Sequence, residues 1–261
     1  MKEIRMQFSH RKYVSDYMRI AVSRVLTHFG GEMHGRKVLD VPAGIGWVGE
    51  ELARAGADSV LGDINDEKPT FTRVDLEQPL PFSDDHFDAV VCCEGIEHVY
   101  SPWHLMSEFA RVLRPGGILV VTTPNVQNLL SRLKFLFCGY FYQFEPFSKI
   151  PKQMGDKGHI SPVSYWQLDY YSTTLGLEVR CPTGGRLKRL ILFPLLMPAL
   201  AVGALWSIYD ARRFGKSNQL NSMRIVRHMF RLRVLMSRSL IFVAEAPALG
   251  EQSLYDDSKG R

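Results

Sequence analysis

Val38-Leu39-Asp40-Val41-Pro42-Ala43-Gly44-Ile45-Gly46 passes from a short β-rich run, residues 37–41, into a helical one, residues 47–55. Gly44 and Gly46 carry no Cβ, so the backbone there can approach a ligand closely. The helix that follows offers unpaired N–H groups at its start. Residues 59–62 read as the next strand, and Asp63 at its carboxyl end lies nineteen positions after Gly44. An acid in that place can accept both hydroxyls of a ribose. A glycine pair alone is a weak signal, whereas strand, glycine turn, helix, strand and acid in order form a strong one.

The pattern outside this stretch alternates in the same way. Residues 14–29 carry apolar side chains at helical intervals and stop at Gly30-Gly31. Residues 87–93 (FDAVVCC) read as a strand, and Ser101-Pro102 as an N-cap with proline at the first helical position. Arg114-Pro115-Gly116-Gly117 predicts a turn before the strand 118–123 (ILVVTT), which is apolar enough to be buried on both faces. A helix over 162–175, a strand over 177–181 and a last strand over 239–244 complete the series. Strands alternating with helices predict an α/β fold with a doubly wound, mostly parallel sheet. The implied organisation is a helical cap over 1–35, a nucleotide-binding core over 36–181, an insertion over 182–237, the last core strand over 238–246 and a flexible tail over 247–261.

The 261 residues are 46% hydrophobic and 23% charged, which excludes whole-chain disorder and collagen-like repeats. Cys92, Cys93, Cys138 and Cys181 show no CxxC spacing, and two of them are adjacent in an apolar run, which suits free thiols in a reducing compartment. Residues 1–20 contain no apolar run of signal-peptide length, so a cytoplasmic protein is expected. The net charge is +5, yet residues 184–239 hold eleven basic residues against one acid, Asp210. That segment is therefore +10 on a body of −5, which points to an anionic partner for the segment.

Taken together, the motifs resemble those of class I S-adenosylmethionine-dependent methyltransferases, over about residues 34–181 and the final strand. VLDVPAGIG is similar to the family's first motif, VLGDI with Asp63 to the second, and Asp75-Leu76 to the adenine-contacting position. FDAVVCCEGIEHV and RVLRPGGILVVTTPN resemble the fourth strand and the segment leading into the fifth. The resemblance implies a Rossmann-like methyltransferase fold binding S-adenosylmethionine. It places Asp40, Gly44, Gly46 and Glu94 at the cofactor, Asp63 on the ribose, and Asp75 and Leu76 at the adenine. Pro42-Ala43 departs from the usual Gly-Cys or Gly-Ser, and proline there removes one backbone donor.

Methyl transfer to a hydroxyl is helped by a base, and His98 and His159 are the candidates. Glu94, Glu97 and His98 follow a strand in an E-x-x-E-H pattern similar to one that contacts magnesium in ubiquinone-biosynthesis O-methyltransferases. The plainer reading of Glu97-His98 is a structural pair fixing the loop after the fourth strand. Residues 138–158 could form a lid over the acceptor.

Residues 190–207 hold no charge and are flanked by Lys188-Arg189 and Arg212-Arg213. Because 177–181 and 239–244 belong to one sheet, a single membrane crossing is excluded. Residues 223–237, the available return, carry four arginines and a histidine. A re-entrant or interfacial hairpin is expected, with Arg224, Arg227, Arg231 and Arg233 at an anionic lipid surface. A lid or dimer face is the alternative, and nucleic acid is not expected as a partner. The chain as a whole reads as a methyltransferase at the inner face of a membrane. Its expected acceptor is a cell-envelope saccharide or lipid-linked molecule, with a lipid quinone, a soluble small molecule or a non-catalytic regulator as alternatives.

Overall fold

The computed structural model of the protein describes residues 14–65, 70–144, 158–186, 192–215 and 219–248. In chain order these form α1 (Asp16–His28), β1 (Lys37–Asp40), α2 (Trp47–Arg54), β2 (Asp58–Asp63), β3 (Thr72–Arg73), β4 (Phe87–Cys93), a 3-10 turn (Ile96–His98) and α3 (Pro102–Val112). There follow β5 (Leu113–Pro124), α4 (Leu129–Cys138), α5 (Tyr165–Thr174), β6 (Glu178–Val179), β7 (Thr183–Gly184), α6 (Leu192–Phe214), α7 (Gln219–Met229), α8 (Leu232–Met236) and β8 (Ser239–Glu245).

The strands make one sheet in the order β3-β2-β1-β4-β5-β8-β6, with β7 also on β8. Strands β3, β2, β1, β4 and β5 run parallel, and β8 runs antiparallel to β5. The doubly wound, mostly parallel sheet expected from the alternation is present. Its strands bury both faces, which is why they read as apolar runs. Val90, Cys92, Leu119, Val121, Leu240 and Phe242 face α3 and α5, where Leu105, Phe109, Tyr165 and Leu168 fill the layer. Ala89, Val91, Ile118, Val120, Ile241 and Val243 face α1 and α2, against Val22, Val25, Val48 and Leu52. The chain order changes direction between β1 and β4, so the carboxyl ends of β1, β2, β4 and β5 border one crevice.

Local chemistry sets the helix starts. The Ser101 hydroxyl accepts the His104 N–H at 3.2 Å, with Pro102 following it. Asn128 caps α4 through Ser131 N–H at 2.9 Å, and Ser164 with Gln167 forms a capping box on α5. The turn expected at 114–117 is instead part of β5. Leu113 pairs with Phe87, the register then shifts, and Ile118 pairs with Ala89. Gly116, at φ 76°, carries the chain through that irregularity.

Helices α6 and α7 of the insertion pack against each other, and among the described residues no helix is long and apolar enough to cross a membrane. One arginine is placed differently from the expectation. Arg224 is not at an outer surface; it turns inward to Asp169 at 3.0 Å, because that buried carboxylate on α5 requires a counter-charge. Arg227, Arg231 and Arg233 are exposed.

Candidate active site

The glycine turn is built from the end of β1 outward. Gly44 and Gly46 both have positive φ, 56° and 80°, and Gly46 caps α2 in the left-handed conformation. Only glycine takes these angles without strain, which explains both positions. Asp63, 2% exposed, holds the turn from the neighbouring strand. Its Oδ2 accepts Gly44 N–H at 2.8 Å, and its Oδ1 accepts both Asn65 donors at 3.0 Å. The Pro42 ring fills the space over Gly95, where an added Cβ would lie 2.4 Å from Pro42 Cδ. The departure at Pro42 is thus matched by a glycine on the loop after β4. Asp75 accepts the Glu77 N–H at 3.0 Å and so shapes its own turn, while Leu76 packs against the core.

Asp40 lies beneath the turn, fully buried, with Oδ2 accepting the Gly49 N–H at 2.9 Å. Burial pushes its carboxyl up to about 8; the Gly49 bond opposes this, and Asp63 and Glu50 add to it. The folded protein therefore holds a proton that the unfolded chain releases near 3.8. The stability this contributes is present below that value and is lost as pH rises toward 8. Asp40→Asn removes the titration while keeping an oxygen for Gly49. Denaturant titrations at pH 5, 6 and 7 should show the variant gaining on the wild type by about 1.4 kcal/mol per pH unit. A difference that does not change with pH would contradict the protonated carboxyl.

On the other side of the crevice, Glu97, His98 and His159 converge, with their ligand-type atoms within 4.8 Å of one another. The loop carrying His159 is tied to the 3-10 turn by Ile160 and Ser161 N–H groups on the Glu97 carbonyl, at 2.9 and 3.0 Å. His98 Nδ1–H donates to the Gly158 carbonyl at 2.8 Å, and His159 Nδ1–H to the Gln143 carbonyl at 2.9 Å. Both rings are therefore fixed in the tautomer whose Nε2 is the basic nitrogen. The rings meet edge to face with centroids 4.9 Å apart, and Phe144 lies 5.5 Å from His159. Glu97 is fully buried, and its Oε2 accepts the Thr123 hydroxyl at 3.1 Å.

Glu94, at φ 53°, is turned toward β5 instead. Its N–H donates to the Thr122 carbonyl at 2.9 Å, and the Thr122 hydroxyl lies 3.5 Å from its carboxylate. The predicted grouping of Glu94 with Glu97 and His98 is thus replaced by one containing His159. Two imidazoles and one carboxylate do not fit magnesium, which takes an octahedral shell of oxygen atoms. The group at this site therefore does not supply the oxygen-rich shell of the magnesium expected from the sequence. Of the lid expected over 138–158, residues 145–157 lie outside the described residues. Cys92 and Cys93 end β4 as free cysteines whose thiols burial pushes up, so they stay protonated and inert.

Sequence reading did not single out Thr122, Thr123 and Gln143, which hold Glu94, Glu97 and His159. Two threonines closing an apolar strand were the available signal. Nothing local marks Gln143, which adopts φ 73° and whose side chain accepts from Arg238 Nε at 2.5 Å.

Residues 39–121 match the family model for a methyltransferase domain. That stretch is a methyltransferase domain. The domain is similar to the demethylmenaquinone methyltransferase of Clavibacter sepedonicus, with 34% identity over 124 residues, covering 41% of this chain and 49% of that one. It is also similar to the ubiquinone biosynthesis O-methyltransferase of Alkalilimnicola ehrlichii, with 29% identity over 130 residues, 44% of this chain and 53% of the relative. The chain thus spans about half the length of the curated relatives it matches. In fold it resembles a SAM-dependent methyltransferase from Archaeoglobus fulgidus (18% identity, 87% and 94% of the two chains, TM-score 0.51). It resembles the cyclase SpnF to the same degree (18% identity, 94% and 89%, TM-score 0.51), so the methyltransferase fold alone does not fix the reaction.

Proposed function

We propose that the protein transfers a methyl group from S-adenosylmethionine to an oxygen of a quinone-type lipid precursor, at the cytoplasmic face of a membrane. The observation that carries the cofactor reading is the paired glycine turn and Asp63, joined by the 2.8 Å bond from Gly44 N–H. Quinone biosynthesis is named in relatives on both sides, menaquinone and ubiquinone, which supports a quinone-type acceptor over the envelope saccharide expected from the sequence. The cofactor supplies an electrophilic methyl on a sulfonium. The chain's own residues orient and deprotonate. Asp40 and the Gly44–Gly46 turn shape the pocket floor, Asp63 offers remaining lone pairs to the ribose, and His159 Nε2 takes the acceptor's hydroxyl proton. Glu97, held by Thr123 and within 4.8 Å of the His159 ring nitrogen, stabilises the single imidazolium that forms there.

Calorimetry with S-adenosylhomocysteine tests the cofactor half directly. Asp63→Ala should weaken binding by about 1.5–3 kcal/mol, the usual loss for charged hydrogen bonds. Unaltered affinity would overturn the motif assignment. The acceptor half is tested by incubating the protein and labelled S-adenosylmethionine with lipid extract. Label in the quinone fraction supports the reading, and label confined to saccharide-bearing lipids refutes it.

A further inference from the structure

Helix α6 is apolar on two opposite sides. Its inner side packs Leu196 and Leu200 on Leu129, Leu235 and Met236, and buries Ala211. Its outer side presents Met197, Val202, Leu205, Trp206 and Tyr209, each between 46% and 69% exposed. From Val202 to Tyr209 these positions recur at three- and four-residue spacing, and with Met197 they span roughly 18 Å of helix. Arg212 and Arg213 continue the same side, with the Arg213 guanidinium over the Tyr209 and Phe214 rings. The acid of α6, Asp210, is partly buried, whereas Arg212 and Arg213 are exposed. The neighbouring α4 ends in a further exposed apolar trio, Phe135, Leu136 and Phe137.

A helix that is apolar all round needs a second surface to cover it. We propose that the outer side of α6 is a docking surface that lies in the plane of an anionic phospholipid leaflet. Val202, Leu205 and Trp206 enter the boundary between headgroups and acyl chains, Tyr209 sits at headgroup level, and Arg212 and Arg213 meet lipid phosphates. Charge complementarity favours lipid over a second copy of the chain, which would present the same arginines and, from α6, only the partly buried Asp210 in return.

The test is flotation of the full chain with vesicles of phosphatidylcholine alone and with phosphatidylglycerol added. The wild type should float with the anionic vesicles and be released by salt. Leu205→Ser/Trp206→Ser should abolish flotation, and Arg212→Ala/Arg213→Ala should lower partitioning about thirtyfold. All four positions are exposed, so each variant should keep its circular dichroism and its affinity for S-adenosylhomocysteine. Equal flotation of wild type and variants, or none by the wild type, overturns the proposal. So does a wild-type dimer that Leu205→Ser/Trp206→Ser converts to monomer. Because the nucleoside is titrated separately, failure of the lipid surface and failure of the cofactor reading give different results.

Discussion

Asp169→Ala is expected to lower the unfolding free energy by about 3–5 kcal/mol, the range for removing one member of a buried ion pair. Asp169 sits on α5 with its side chain 3% exposed, and it organises the contact with α7. Its Oδ1 accepts from Arg224 at 3.0 Å and its Oδ2 from the Tyr165 hydroxyl at 2.6 Å. The Tyr165 oxygen in turn accepts from His228 Nδ1 at 2.7 Å. Truncation leaves an arginine and a phenol in the interior without their shared acceptor. Asp169→Asn retains a bond for Tyr165 but loses the charge, so it should fall between the wild type and the alanine variant. Urea titrations of the three proteins decide the matter, and a loss under about 1 kcal/mol would show that solvent already compensates Arg224.

His159→Ala should reduce methyl transfer by about 10²–10⁴-fold, the usual contribution of a positioned base. Nucleoside affinity should be unchanged, because no bond of the glycine turn involves His159. A base also leaves a kinetic mark: the rate falls on the acid side as the imidazole is protonated, and the alanine variant should lack that limb. Unchanged turnover between about pH 6 and 9 would remove His159 from the mechanism. His98→Ala is a weaker discriminator, since the bond it loses to the Gly158 carbonyl anchors the loop on which His159 is carried.

The parts of the fold most legible in the sequence are those set by local signals. The 3.6-residue spacing of Met18, Ala21, Val22 and Val25 predicts α1, and the Ser101-Pro102 pair marks the start of α3. Strands β3 and β7, two residues each, are too short to carry any period and exist through their partners alone. The cofactor side of the site is legible for a similar reason, since Gly44, Gly46 and Asp63 are spaced by one supersecondary unit. The His98–His159 pairing is a tertiary fact. It depends on two N–H groups meeting the Glu97 carbonyl across some sixty residues, and no local pattern encodes that. Arg224 illustrates the same limit: composition placed it with the outer arginines, whereas a buried acid on another helix drew it inward.

The place of β8 has a consequence for how the molecule is made. Ile118 pairs with Glu245 and Pro124 with Ser239, so the inner edge of β5 is closed by nearly the last residues described. At about 5–20 residues per second, some 120 residues of synthesis leave that edge open for roughly 6–25 s. Residues 118–123, a largely apolar strand, stay unpaired on one side for that time, while the hydrophobic hairpin emerges beside them. The nascent chain therefore carries an aggregation hazard from the synthesis of residue 118 until that of residues 239–245, and a chain truncated between them has a sheet that cannot close.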